Sequence, residues 1–165
     1  MTRRLQQRAV FSLLTAAIAL IASCSTRVAK STSVGLTPTV NFCDLINNPA
    51  RYDGKNVVVR ASLRSSFEYS ELFCLACPGR GSTWPDFVGD DEWKGPRRDL
   101  RRIPSVGISN GTFSGIFESS KGPYGHMNLY QFRLVVDSVS GVSIVSRSEA
   151  PPLSLPNEIQ QKMCH

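Results

Sequence analysis

Apolar and polar residues alternate with a period of two over several separate stretches of this chain, and with a helical period over one short stretch that precedes them. The helical stretch is Asn41–Asn48. Phe42, Leu45 and Ile46 fall at i, i+3 and i+4, which sets them on one face of a helix. Asn41 stands where an N-cap oxygen takes an orphan backbone N–H, and Asp44 sits in the first turn, where a carboxylate suits the dipole. Pro49 predicts the helix end, because its ring restricts Asn48 and it offers no N–H. Tyr52-Asp53-Gly54-Lys55 has turn chemistry, with Asp bonding its own backbone and Gly supplying a positive φ. From Lys55 the period is two. Val57, Val59, Ala61 and Leu63 share one face, and Asn56, Arg60, Ser62 and Arg64 the other, with Val58 the exception.

Further strand-like stretches follow. Ser65-Ser66 predicts a turn, and Phe67, Tyr69, Glu71 and Phe73 then alternate with Glu68, Ser70, Leu72 and Cys74 as a second strand. The first two strands thus form a hairpin. Thr83–Val88 predicts a short strand that Pro85 restricts to an edge. Ile103–Ile108 begins another strand. Thr112–Glu118 sets Phe113 and Phe117 on one face, with Gly115 between them at a bulge or close approach. Lys121-Gly122-Pro123-Tyr124-Gly125 is a turn. Asn128–Ser138 carries Tyr130, Phe132, Leu134 and Val136 on one side and Gln131, Arg133 and Asp137 on the other. Val142–Val145 closes the β region. About five short strands in antiparallel order predict a mainly β domain, either an OB-like five-stranded barrel or a small β-sandwich, with a short N-terminal helix. An OB-fold carries its helix between strands three and four, and a short helix near Gly95–Arg102 would fill that place.

The ends of the chain have another composition. Arg3, Arg4 and Arg8 precede the apolar run Val10–Ala22, and small residues lead to Cys24. This is a secretory signal, too short for the roughly 20 residues of a spanning helix. Ser25–Thr39 is Ser/Thr-rich without an apolar period and reads as a flexible tether. The expected organisation is a signal over 1–23, a tether over 24–39, a β domain over 40–148 and a Pro-rich tail over 149–165. The formal charge is +6, of which Arg3, Arg4 and Arg8 supply three. The remainder is too weakly basic to argue for nucleic acid as a partner.

Two resemblances add to this reading. Ile21-Ala22-Ser23-Cys24 resembles the bacterial lipoprotein signal, in which cleavage precedes the Cys and that Cys is acylated. The resemblance implies lipidation at Cys24, a membrane anchored by acyl chains, and a place in the bacterial envelope. Ser25, where Asp would be the usual inner-membrane retention signal, implies the outer membrane facing the periplasm. The run Cys43-x-Leu45…Pro49-x-x-Tyr52-x-Gly54-Lys55-x-Val57-x-Val59-Arg60, with Phe67-Glu68-x-Ser70-x-Leu72 after it, is similar to the opening of a group of small bacterial exported proteins thought to hold OB-like β domains. It covers about half of the mature chain. It implies a fold and a compartment, and no activity.

The chemistry of the candidate sites is read against that background. Five cysteines are present: Cys24, Cys43, Cys74, Cys77 and Cys164. With Cys24 acylated, four remain in an oxidising compartment, where disulfides are the default and three complete pairings are open. A bridge from Cys43 to Cys74 or Cys77 would pin the helix to the hairpin. The exported-protein resemblance implies Cys43–Cys77, a loop of about 35 residues worth around 3–4 kcal/mol in the chain-entropy model. Cys74 then pairs with Cys164, or with Cys77 in the alternative connectivity. Cys74-Leu75-Ala76-Cys77 also has the C-x-x-C spacing of redox proteins, but Pro78-Gly79 argues against the helix such chemistry needs. Cys43, Cys74, Cys77 and His126 would suffice in number for zinc, yet no cofactor or metal is expected. Nor is a catalytic residue, since no nucleophile, metalloprotease or phosphate-loop motif occurs.

Binding candidates remain. Glu68, which the resemblance group keeps, is read against pairing with Arg60 or Arg64 across the hairpin. Tyr69 is a candidate because OB-like domains use exposed aromatics for ligands. Between Cys77 and Pro104 acidic Asp90-Asp91-Glu92 precedes Lys94, Arg97, Arg98, Arg101 and Arg102. That segment is a self-neutralising loop, a basic patch for anionic lipid or another polyanion, or a docking surface anchored by Trp93. The function expected is a lipid-anchored, non-enzymatic periplasmic module that binds another envelope component. The alternative is a thiol-redox or metal protein using Cys74 and Cys77.

Overall fold

The computed structural model describes residues 37–77 and 82–148. The signal, most of the tether, the tail, Cys24 and Cys164 lie outside the described residues. The elements in order are β1 (Thr39–Val40), α1 (Phe42–Asn47), α2 (Pro49–Tyr52), β2 (Lys55–Ser65), β3 (Ser70–Phe73), β4 (Thr83–Phe87), α3 (Arg97–Leu100), β5 (Gly107–Glu118) and β6 (Phe132–Ser146), with a 3-10 turn at His126–Asn128 before β6. Among the described residues no helix is long and apolar enough to cross a membrane.

α1 forms as its sequence dictates. The Asn41 side chain accepts from the backbone N–H groups of Cys43 and Asp44, and Phe42, Leu45 and Ile46 are buried. Pro49 ends α1 but also opens α2, because a proline at the first helical position loses only an N–H that would be orphaned anyway. Tyr52 therefore belongs to a helix rather than to the turn, and its phenol donates to the Asp44 carboxylate. Asp53 does not bond its own backbone; it reaches across to accept from the N–H groups of Ser119 and Ser120. Gly54 has a φ of 70°, as the turn requires. β1 pairs in parallel with Val58 and Val59 of β2, so Thr39 belongs to the domain and not to the tether.

The strands are mainly antiparallel, in the order β1-β2-β3-β4-β6-β5, and β5 returns to pair with β2. The pairings therefore run round in a ring, with β4 and β6 parallel within it. β5 and β6 are long enough to serve two neighbours each because they bend. Their register shifts at Ile108/Ser109, Asn110/Thr112 and Ser114/Gly115, and such irregularities tighten curvature. At Gly115 a Cβ would run into the Val135 backbone, so the glycine permits the closest approach of β5 and β6.

Inside the ring lie Val57, Val59, Ala61, Leu63, Leu72, Phe113, Phe117, Leu134, Val136 and Val139, joined by Phe42, Leu45 and Ile46 of α1. The alternation of β2, the Phe113/Phe117 face of β5 and the Phe132/Leu134/Val136 face of β6 are as the sequence predicts. β3 differs. The Ser66 N–H bonds the Tyr69 carbonyl, which makes Phe67 and Glu68 the tip of the turn. Phe67 is 90% exposed and Leu72 fully buried. The inward face of β3 is thus Leu72 and Cys74, and Glu71 and Phe73 point outward. Two expected stretches, Ile103–Ile108 and Val142–Val145, also merge into their neighbours. Val142–Val145 continues β6, and β5 starts at Gly107. Pro85 lies beyond the single β3 contact, Leu72↔Thr83, so only β6 flanks it as a strand there. α3 falls between β4 and β5 in the chain, and Leu100 and Ile103 pack against the core.

Candidate functional site

Outward-pointing residues of β2, β3, β4, β6 and β5 form one continuous row. Arg64 of β2 pairs with Glu71 across the hairpin, and its guanidinium lies 4.8 Å over the Phe73 ring. Trp84 of β4 sits opposite Arg133 of β6, which in turn opposes Glu118 of β5. Arg133 forks. Its Nε and Nη2 donate to the Glu118 carboxylate at 2.9 and 2.5 Å, and its Nη1 donates to Asp86 at 3.0 Å. The Glu118 hydrogen bond leads in holding the Arg133 guanidinium above its already high ordinary value, against the effect of burial.

The β5–β6 connection folds onto this row. Tyr124 and Tyr130 form a β-bridge with each other and are both buried. The Tyr130 ring packs on Trp84 at 5.3 Å between centroids, and Arg133 lies 5.1 Å over Tyr124. Burial pushes the Tyr130 phenol above its ordinary value, and the Glu71 carboxylate and Tyr69 phenol nearby push the same way, with Arg64 opposing. Gly125, at a φ of 72°, lies against the Trp84 ring with no room for a Cβ. Met127 and Asn128 then hold positive φ angles of 54° and 58°, a conformation in which a long unbranched side chain is strained. The connection is thus held from beneath by tryptophan, arginine and two tyrosines, and it lifts Met127 and Leu129 into solvent, 76% and 70% exposed. Beside them is an open groove of about 430 Å³, near the small end of ligand-binding cavities. Ser120, Pro123, Asn128, Leu129, Tyr130 and Gln131 line it, and none of its lining residues carries a charged side chain.

The predicted binding residues are distributed differently. Glu68 is exposed at the turn tip, and the hairpin ion pair belongs to Glu71 and Arg64 instead. Tyr69 is half-buried and close enough to Tyr130 to influence it. Trp93 does not stand out as a solvent-facing anchor; it packs inward on the core, 6.4 Å from Phe87 between ring centroids. Within the loop Arg97 pairs with Asp90, and Lys94 pairs with Asp137 of β6. Arg98, Arg101 and Arg102 are exposed on and after α3.

Cys43 and Cys77 are joined, with α-carbons 5.7 Å apart and a sequence separation of 34. The sulfurs of Cys43, Cys74 and Cys77 all lie within 4.8 Å of one another, and His126 is not part of that cluster. With Cys43 and Cys77 bonded to each other, the cluster does not offer the thiolates that zinc requires. Cys74 is disulfide-bonded as well. Residues 74–77 form a turn closed by the Cys77 N–H on the Cys74 carbonyl.

The aromatic and arginine row under the β5–β6 connection is the part that sequence reading missed. Gly122-Pro123-Tyr124-Gly125 carries only a turn signal, and nothing local ties it to Trp84. No protein-family model, no curated protein and no solved structure matches this chain.

Proposed function

We propose that this chain is an exported, lipid-anchored module of the bacterial envelope, built on an OB-like barrel, that binds another envelope component through the β5–β6 connection and the outward face beneath it. The single observation that carries the binding site is that connection. It is braced from beneath by Trp84, Tyr124, Tyr130 and Arg133, yet it spends its upper face on two solvent-exposed apolar side chains and an open groove. Strained backbone and exposed apolar side chains on a rigid support are costly unless something uses them. The OB-like part of the reading is supported by the ring order, in which the third and fifth ring strands are parallel and α3 lies between the third and fourth. In such barrels the strand-two and strand-three face and the connections flanking it take ligands.

Two measurements test it. Cys24→Ala should move the protein from the membrane to the soluble fraction of cells, and unchanged fractionation would remove the lipid anchor from the proposal. Detergent-solubilised full-length protein should retain an envelope component that Met127→Asp with Leu129→Asp no longer retains, while Arg98→Ala with Arg101→Ala still does. Equal retention by both variants would place binding away from the β5–β6 connection.

A second reading, thiol exchange at Cys74 and Cys77, has one specific observation in its favour: a third sulfur lies beside the Cys43–Cys77 bond.

A further inference from the structure

The groove beside the β5–β6 connection offers only neutral hydrogen-bonding side chains. None of its lining residues is charged, and Lys121 and His126, exposed on the same connection, are not among them. Ionic groups on the support are already committed. Arg133 is taken by Glu118 and Asp86, and Asp53 by Ser119 and Ser120. An anionic or cationic ligand would find no charge-assisted partner on these walls.

The backbone is committed too. The N–H groups of Ser119 and Ser120 donate to Asp53, and that of Lys121 to the Tyr124 phenol. Tyr124 and Tyr130 bond each other's carbonyls, and Asn128 and Leu129 donate to Gly125 and His126. A peptide that adds itself as a strand needs a free main-chain edge, and these bonds occupy the one the connection would offer. The side-chain amides of Asn128 and Gln131 remain, exposed and bonded to no other described residue. Beside them lie the apolar surfaces of Pro123 and Leu129. The groove is open, so a chain can lie in it with both ends in solvent.

We infer that the groove takes a neutral oligosaccharide, with sugar hydroxyls on the Asn128 and Gln131 amides and the C–H face of a sugar ring on Pro123 and Leu129. The inference rests on the reading of the connection as the binding site, and it names the ligand class of that site. Each amide carries two donors and an acceptor, and each sugar hydroxyl both donates and accepts, so the two match without an ionic partner. A purely apolar ligand would cover both amides without bonding them, at the desolvation cost of unmade hydrogen bonds. A sugar ring presents hydroxyls at its edge and C–H groups on its face, which is the pairing of polar and apolar surface that these walls carry.

The test is saturation-transfer NMR on the full-length protein in a detergent whose head group is not a sugar, with maltotetraose and chitotetraose as separate probes. At least one should take up saturation, most strongly at its ring C–H protons. Its affinity should fall about tenfold in Asn128→Gly with Gln131→Ala. Glycine accepts the φ of 58° at position 128, so the variant removes the amides without straining the backbone. Arg98→Ala with Arg101→Ala should bind as the wild type does. Absence of saturation with both probes, or equal affinity in the amide variant, overturns the inference. Tighter binding of tetra-alanine than of either saccharide also overturns it, and makes the ligand a peptide. If both saccharides fail while the protein still retains an envelope component through Met127 and Leu129, the ligand class falls and the binding module stands. If the wild type retains no component either, both fall. Should the amide variant fail to fold, the wild type decides. Nuclear Overhauser contacts from sugar C–H protons to the Leu129 methyls support the inference, and contacts only elsewhere on the protein overturn it.

Discussion

Asp53 shows how a residue read as local can act at long range. Its sequence neighbours give it a turn role, but its carboxylate accepts from Ser119 and Ser120, at the far end of β5, at 2.6 and 3.2 Å for the two backbone N–H groups. Bonds from Ser120 and Ser119 hold its carboxyl below the ordinary aspartate value. Asp44 is shifted the same way, chiefly by the Tyr52 phenol and then by Asn48. Since the charged forms are favoured in the folded protein, their contribution is full above the unfolded value near pH 4. It fades as pH falls through the lower folded values. Stability should therefore drop on acidification from about pH 4 downward, and Asp53→Asn should flatten that drop. Urea midpoints at pH 6 and pH 3 for both proteins check this. An equal acid loss in the variant would show that the bonds to Ser119 and Ser120 contribute nothing. The donor partners of Asp53 are some 66 residues away in sequence, so no local pattern could have named them.

At the scale of elements, β2 was legible except at Ser62, which the alternation sets on the polar face and which is buried, and β3 was not. β2 has four apolar residues in phase, and one face must be buried. β3 has two half-apolar faces, Phe67/Tyr69/Phe73 against Leu72/Cys74, and a slip of one residue in the turn exchanges them. The turn settles the matter by spending Phe67 and Glu68 at its tip. Gly115 is a case in which the sequence signal and the contact agree. It reads as a close approach, and the Val135 backbone fills the space its side chain would need. Gly115→Val should destabilise the fold by about 1–3 kcal/mol through overpacking of β5 against β6. Chemical denaturation measures it, and a change below about 0.5 kcal/mol would mean that the two strands separate there at little cost.

The described strands pair in a ring. Cys43–Cys77 links α1 to the segment after β3 across 34 residues. In the chain-entropy model such a loop contributes about 3–4 kcal/mol, by restricting the unfolded chain. Cys43→Ala with Cys77→Ala should lower unfolding free energy by that order, seen as an earlier denaturant midpoint with an unchanged far-UV spectrum at zero denaturant. A loss under about 1 kcal/mol would mean that the core alone sets stability. The charge of the molecule is arranged rather than merely summed. Lys94 and Arg97 are spent on Asp137 and Asp90, and Arg98, Arg101 and Arg102 remain exposed on and after α3.

The sequence by itself determined the N-cap and apolar face of α1, the alternation of β2, β5 and the first half of β6, and the mainly β character of the domain. Each of these follows from neighbours within a few residues, where spacing alone decides which side chains share a face. Only the tertiary structure decided the ring of pairings, the inward face of β3 and the meeting of three sulfurs. It alone set the β5–β6 connection on Trp84. Those depend on which strands lie side by side, and residues far apart in the chain come into contact only when the ring forms.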